Sequence, residues 1–299
     1  MSLQKSNYKK QHVGFIYALL FFLLIYSREE ITRANKKQLI MDNCLRLTAF
    51  DKATGKAKFM LTDVEDFATA VEVANSKEIA DHNGTTVATI ESGKSASISG
   101  NASFVNFGLL AAQAGGDLQE ATDVKTIVTP YYQTFDAADA VGGKINLDFE
   151  PVGETGNEIK FIYELNDDGT LGKDYAQAAA KTTTEFAVAD KQIELPENVT
   201  SGMFAVFYDY AGKKTMLIDN EADKFGGVYI IKADVLCRDI CNADVKTVVT
   251  VQSNNAKLES AYDLTWNSDS KHPFSFKVNK DFCSKNGNLM STYVLGDEE

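Results

Sequence analysis

The sequence predicts an all-β protein, an antiparallel β-sandwich or barrel with one short packed helix, and three observations carry that prediction. About a dozen short runs alternate apolar and polar residues with period two. Turn residues such as Gly55, Asn83-Gly84 and Asp167-Asp168-Gly169 separate them at short spacing. Only residues 104–114 change to a helical period.

In chain order, residues 45–50 and 56–64 flank a turn at 51–55 and form a first β-hairpin. Residues 63–74 fit two templates: Val64, Phe67, Ala68 and Val71 make a helical stripe, while Phe67, Thr69, Val71 and Val73 alternate as a strand. The β-rich surroundings favour the strand. The stretch 77–116 anchors the chain. Asn83-Gly84 is a turn pair suited to positive φ, followed by strands at 87–90 and 96–98, with Ala96 and Ile98 half-buried and Ser95, Ser97 and Ser99 on an outer hydroxyl face. Phe104, Phe107, Ala111 and Ala114 then recur near helical spacing, and Gly115-Gly116 stops the helix. On this phase, charge at Phe107 or Leu110 is expected to unfold the protein, whereas changes at Ser97 or Ser99 leave it folded and affect assembly.

Residues 125–135 read as a strand ending in a loop, and strand patterning resumes at Lys144. Ile159, Phe161, Tyr163 and Leu165 alternate with polar residues up to the Asp167-Asp168-Gly169 turn. Residues 176–181 have helix propensity, but six residues do not hold a helix without packing. A hairpin follows at 186–195, then a strand at 203–210 that is apolar on both faces and therefore central in its sheet. Strands at 228–236, 245–251, 261–266 and 274–278 complete the series; in the last, Phe274, Phe276 and Val278 share one face. The expected domain layout is a β core from residues 41–128 and 212–299, with 129–211 as an inserted or second β unit.

The chain has 299 residues, a net charge of −12 and a pI near 4.8, so its surface repels nucleic-acid phosphates and anionic lipid. The charge is uneven. Residues 1–40 hold seven Lys/Arg and two Asp/Glu, a surplus of five positive charges, and the remainder carries −17. Within that leader, residues 13–26 form an apolar run about 21 Å long as a helix, short of the ~30 Å hydrocarbon core. The charge break favours Met41 as the start of the functional protein, with 1–40 an extension outside the fold. The alternative is a signal peptide or a membrane anchor through 13–26.

No catalytic, cofactor or metal site is expected. Four cysteines (Cys44, Cys237, Cys241, Cys283) are too few for a disulfide scaffold. Cys237 and Cys241 supply two zinc ligands at most, and His12, His82 and His272 are scattered. His272, beside Pro273, reads as a loop residue. Ser92-Gly93-Lys94-Ser95 invites a phosphate-loop reading, but the glycine required at position 88 is Ala88. Asn83, Asn101 and Asn198 head glycosylation triplets that matter only in a eukaryotic secretory route. Phe204, Phe207, Tyr208 and Tyr210 fit sheet core better than a binding platform.

Residues 45–61, 99–116, 186–210 and 220–239, with the closing strand pair at 266–281, resemble tail tube or major tail proteins of bacteriophages of Gram-positive hosts. The resemblance covers most of residues 41–281. It implies a non-enzymatic virion structural protein that binds copies of itself edge to edge, commonly as hexameric rings. The rings stack into a tube that contacts other tail proteins and passes DNA without binding it specifically. An acidic lumen lets DNA slide, and ring closure removes open sheet edges. Ser97, Ser99, Asp223, Lys224 and Phe225 are the self-assembly candidates, with no cofactor and no small-molecule substrate. The alternatives are a capsid decoration or head-associated virion protein, and an immunoglobulin-like surface module tethered through 13–26.

Overall fold

The computed structural model describes residues 38–282 and 287–295. The apolar run at 13–26, the choice of start at Met41, His12 and Cys283 lie outside the described residues. In chain order the elements begin with β1 (Leu39–Asp51), β2 (Ala57–Leu61), β3 (Val64–Ala80), β4 (Thr86–Ala102) and helix α1 (Phe107–Gln113). There follow β5 (Gln119–Glu120), β6 (Ile127–Asp136), β7 (Lys144–Asn146), β8 (Phe161–Leu165), β9 (Leu171–Ala176), β10 (Ala187–Ala189), β11 (Gln192–Glu194), β12 (Met203–Gly212) and β13 (Met216–Leu217). The last four are β14 (Val228–Asp239), β15 (Lys246–Leu258), β16 (His272–Val278) and β17 (Ser291–Val294). The protein is all-β and antiparallel, with one short helix among the described residues. The expected strand start at Lys144 and hairpin at 186–195 are present as β7 and β10–β11. There are more strands than the sequence pattern suggests because β5 and β13 are two-residue pieces too short to carry an alternation, and β9 and β17 add two that it did not single out.

Two compact units form: one from the described residues up to Asp117 and from Ile218 onward, the other from Leu118–Leu217. In the first, the strand order β14-β1-β3-β4-β16-β15 is closed by pairing of β14 with β15, giving a barrel with β2 and β17 added outside the ring. Closure follows from alternation. Ile98 on β4, Phe276 on β16, Ile231 on β14, Leu258 on β15 and Leu47 on β1 all point inward and are fully buried, each contributing about 1.5–3 kcal/mol.

Helix α1 packs Leu109 and Ala112 into this core. Its start is set by Asn106, whose Oδ1 accepts a hydrogen bond from the Leu109 amide at 2.9 Å. Its end is a Schellman pair: the Gly116 amide donates to Ala111 O at 3.0 Å and the Gly115 amide to Ala112 O at 3.3 Å, with Gly115 at φ +77°. The glycine stop is therefore as expected, but the stripe is buried only in its second half, at Ala111 and Ala114. Phe104 precedes the helix and is 73% exposed, Phe107 is 47% exposed and Leu110 is only partly buried, while Leu109, Ala111, Ala112 and Gln113 are buried. Capping at Asn106 fixes the rotational phase and turns the Phe107 position outward.

Two further expectations are corrected here. Residues 261–266 form no strand, and Trp266 is 71% exposed. β15, the strand that precedes the segment, is already flanked by β14 on one side and by β16 and β17 on the other, so the segment finds no place beside it. His272 is not a loop residue but opens β16 opposite Ala102 and is fully buried. Its Nε2 lies 2.8 Å from Gln113 Oε1, its Nδ1 accepts from the Asn106 amide at 3.3 Å, and Gln113 Nε2 donates to Pro273 O at 2.9 Å. This ring ties both ends of α1 to the barrel.

Burial pushes the His272 imidazole below its ordinary value of 6.5. The unfolded chain therefore takes up a proton before the folded one does. Stability held by the neutral ring is complete above about 6.5 and is lost as the pH falls from there towards the lower folded-state value. Denaturant titrations between pH 8 and 5 are expected to show this decline, and His272→Gln to flatten it.

In the Leu118–Leu217 unit, a sheet of order β6-β12-β8-β9 faces a smaller sheet of order β10-β11-β7. Phe204, Val206, Ile162, Phe186, Ile193 and Leu195 form the shared core. β12 is central, as its two apolar faces suggest. Its Phe204, Val206 and Tyr208 are buried, whereas Met203 and Phe207 are exposed on the other face. Residues 176–181 form no helix; the end of β9 runs into a bridge between Gln177 and Phe186.

Candidate assembly surface

The hairpin β3–β4 is built from two strands of 17 residues each, and it outruns the barrel. β1 touches β3 only through Cys44 and Val64, and β16 pairs β4 only from Ala96 to Ala102. Beyond those points, Ala68 to Ala80 pair only with β4, and Thr86 to Ser95 only with β3. Both outer edges of this arm thus present unpaired backbone groups, and almost every residue of the arm is exposed on both faces. Val71, Val73, Ile79 and Ile90 lie on the face that continues the barrel interior beyond Ala96 and Ile98, and all four are exposed.

The arm leaves the barrel at a bulge. Register shifts between Glu65 and Ala68, and Asp66 takes a left-handed φ of 51°. The bulge is held by its own side chains. Lys271 bonds the Glu65 carboxylate, Ser103 Oγ donates to Glu65 Oε1 at 2.6 Å and Asn101 Nδ2 donates to Asp66 Oδ2 at 3.1 Å. The hydrogen bond from Lys271 lowers the Glu65 carboxyl below the usual range, and Glu65 in turn raises Lys271. At the far end Asp81 Oδ1 accepts the Asn83 and Thr85 amides at 2.9 Å and Gly84 turns at φ +83°.

The residues singled out from sequence fall in two places. Ser97 and Ser99 sit on β4 between β3 and β16, opposite Ala70 and Ala68 on one side and Lys277 and Ser275 on the other. Their backbones are committed to the barrel, they are partly buried, and Ser97 lines a shallow trough with Glu72 and Lys277. Asp223, Lys224 and Phe225 form an exposed loop before β14, with Lys224 paired to Glu221 at 2.5 Å and Phe225 65% exposed. The main chain of this loop lies against the glycine stop of α1.

Sequence reading placed the Asn83-Gly84 turn and strands on both sides of it, but missed that they run as one arm of two 17-residue strands beyond the barrel. The available signal was symmetry about Asn83-Gly84, since residues compatible with strand extend a similar distance on both sides. Cys237 is buried and Cys241 exposed at the β14–β15 turn, and among the described residues no three His, Cys, Asp or Glu side chains gather as a metal set. No helix among the described residues is long and apolar enough to cross a membrane.

No curated protein matches the chain. The YomU/Tube protein family model matches residues 39–292, which takes in every strand from β1 to β16 and the first half of β17. The chain therefore belongs to the YomU/Tube protein family, a virion structural family of the phage tail tube type.

Proposed function

We propose that this protein is the non-enzymatic subunit of a tail tube, that its copies join edge to edge through the β3–β4 arm into rings, hexameric by the resemblance, and that the rings stack into a DNA conduit. The single observation that carries the reading is the arm: two long paired strands with both edges open and apolar side chains uncovered. An isolated two-stranded hairpin is marginal in water. A neighbouring copy that adds strands to the open edges and covers Val71, Val73, Ile79 and Ile90 removes both liabilities. Ser97 and Ser99 at the base of the arm, and Asp223, Lys224 and Phe225 on the separate loop against α1, are further points where copies and other tail proteins meet. The net charge of −12 suits a channel along which DNA passes without being held.

Negative-stain microscopy and sedimentation of the full chain test this. Rings or stacked discs are expected, and the double variant Val73→Lys/Ile90→Lys is expected to stay folded by circular dichroism but to remain monomeric. Wild-type protein that stays monomeric at high concentration, or a double variant that assembles normally, defeats the proposal.

A further inference from the structure

The four-stranded sheet of the Leu118–Leu217 unit is apolar on the side that faces away from its core. Tyr132 on β6, Phe207 on β12 and Phe161 on β8 are all exposed there, with Tyr163 partly so. Their rings form a continuous row across three strands: Tyr132 to Phe207 at 5.0 Å between centroids, Phe207 to Tyr163 at 6.2 Å and Tyr163 to Phe161 at 6.3 Å. Beside this floor stands a polar wall. The Val152 amide donates to Asp209 O at 2.8 Å, Glu154 and Asn157 bridge across Gly156 at φ +83°, and Glu158 is fixed by Gln177 Nε2 at 2.7 Å and by the Gly156 amide at 2.9 Å. Floor and wall enclose an open trough of about 840 Å³, within the range of a specific ligand site.

We propose that this trough binds a neutral oligosaccharide, with pyranose rings laid on the aromatic row and their hydroxyls bonded to Glu154, Asn157, Lys160 and Asp209. A sugar ring has an apolar C–H face and a hydroxyl rim, and the trough offers an aromatic floor and a rim of donors and acceptors in the same order. Phosphate-bearing ligands are disfavoured, because Glu154, Glu158 and Asp209 line the trough against the one ammonium of Lys160. A dry protein interface is disfavoured too. Among the described residues Glu154, Lys160 and Asp209 have no ion-pair partner, and covering them without one is costly. A saccharide leaves that rim wet and bridged by water. The inference stands whether or not the subunit forms rings.

Calorimetric titration of the full chain with maltohexaose, cellohexaose and chitohexaose tests it. Saturable binding of at least one is expected, weakened about ten-fold by Phe207→Ala or by Tyr132→Ala, with the thermal transition unchanged. Glu154→Gln, on the exposed wall, is expected to weaken it as well. Val128→Ala, on the same sheet face but outside the trough, is expected to leave it intact. Absence of saturable heat with all three sugars overturns the proposal, as does binding that survives the ring variants. Loss of self-association in Phe207→Ala without any sugar binding overturns it in favour of a contact between copies.

Discussion

Leu109→Asp is expected to leave the barrel unit unfolded, whereas Phe107→Asp, two residues away on the same helix, is expected to leave it folded. Leu109 is fully buried in the core with Phe59, Leu61 and Phe276. Removing its side chain alone costs about 2–5 kcal/mol. The carboxylate put in its place adds several kcal/mol of desolvation, because nothing in that core pairs with it. The sum rivals the ~5–15 kcal/mol that holds an ordinary domain together. Phe107 is 47% exposed, so Asp there meets water, and in the first turn it faces the positive end of the short helix. Circular dichroism and limited proteolysis of both variants distinguish them. If the two unfold alike, α1 does not have the phase described here.

That contrast locates what the sequence could and could not reveal. The existence of the helix, its glycine stop and the alternation of Phe274, Phe276 and Val278 are local signals, and all three are read correctly from the chain. The helix phase is different, because it depends on Asn106 capping Leu109, and Phe104 and Phe107 look like core residues by type alone. The arm was hidden for another reason. Period-two alternation records burial of one face, and between Ala74 and Ser95 neither face is buried, so Asn75, Ser76, Lys77, Glu91 and Lys94 carry no alternation to read. Closure of the barrel through β14 and β15 joins strands that are adjacent in sequence, but the pairing of β4 with β16 spans some 170 residues of chain and leaves no local mark. His272 shows the same limit: its burial depends on Gln113, more than a hundred residues earlier. Among the sequence-derived contact residues, Ser97 and Ser99 proved to have committed backbones, so any part they play in assembly runs through their hydroxyls alone.

Gly115→Ala carries the second large effect, and it tests how the 223–225 loop is tied to the helix. Gly115 stands at φ +77°, where an alanine pays about 1–2 kcal/mol. Its added Cβ would also lie 2.5 Å from Phe225 N, 2.7 Å from Phe225 O and 2.8 Å from Lys224 C. These are backbone atoms, and they have little room to retreat. Gly226, the next residue, is pressed against Leu258 O, and its amide donates to Ser260 Oγ at 2.7 Å. The helix end and the loop must therefore separate, for a total loss of about 3–5 kcal/mol and a fall in Tm of roughly 10 °C. Gly55→Ala is the matched control, since Gly55 stands at φ +70° with nothing within 4 Å of the added carbon. It pays the conformational cost alone, about 1 kcal/mol. The difference between the two variants in thermal unfolding measures the contact between the α1 stop and the loop that carries Asp223, Lys224 and Phe225. Equal shifts would mean that the loop does not rest on the helix, and would remove the reason for treating those three residues as a surface of fixed shape.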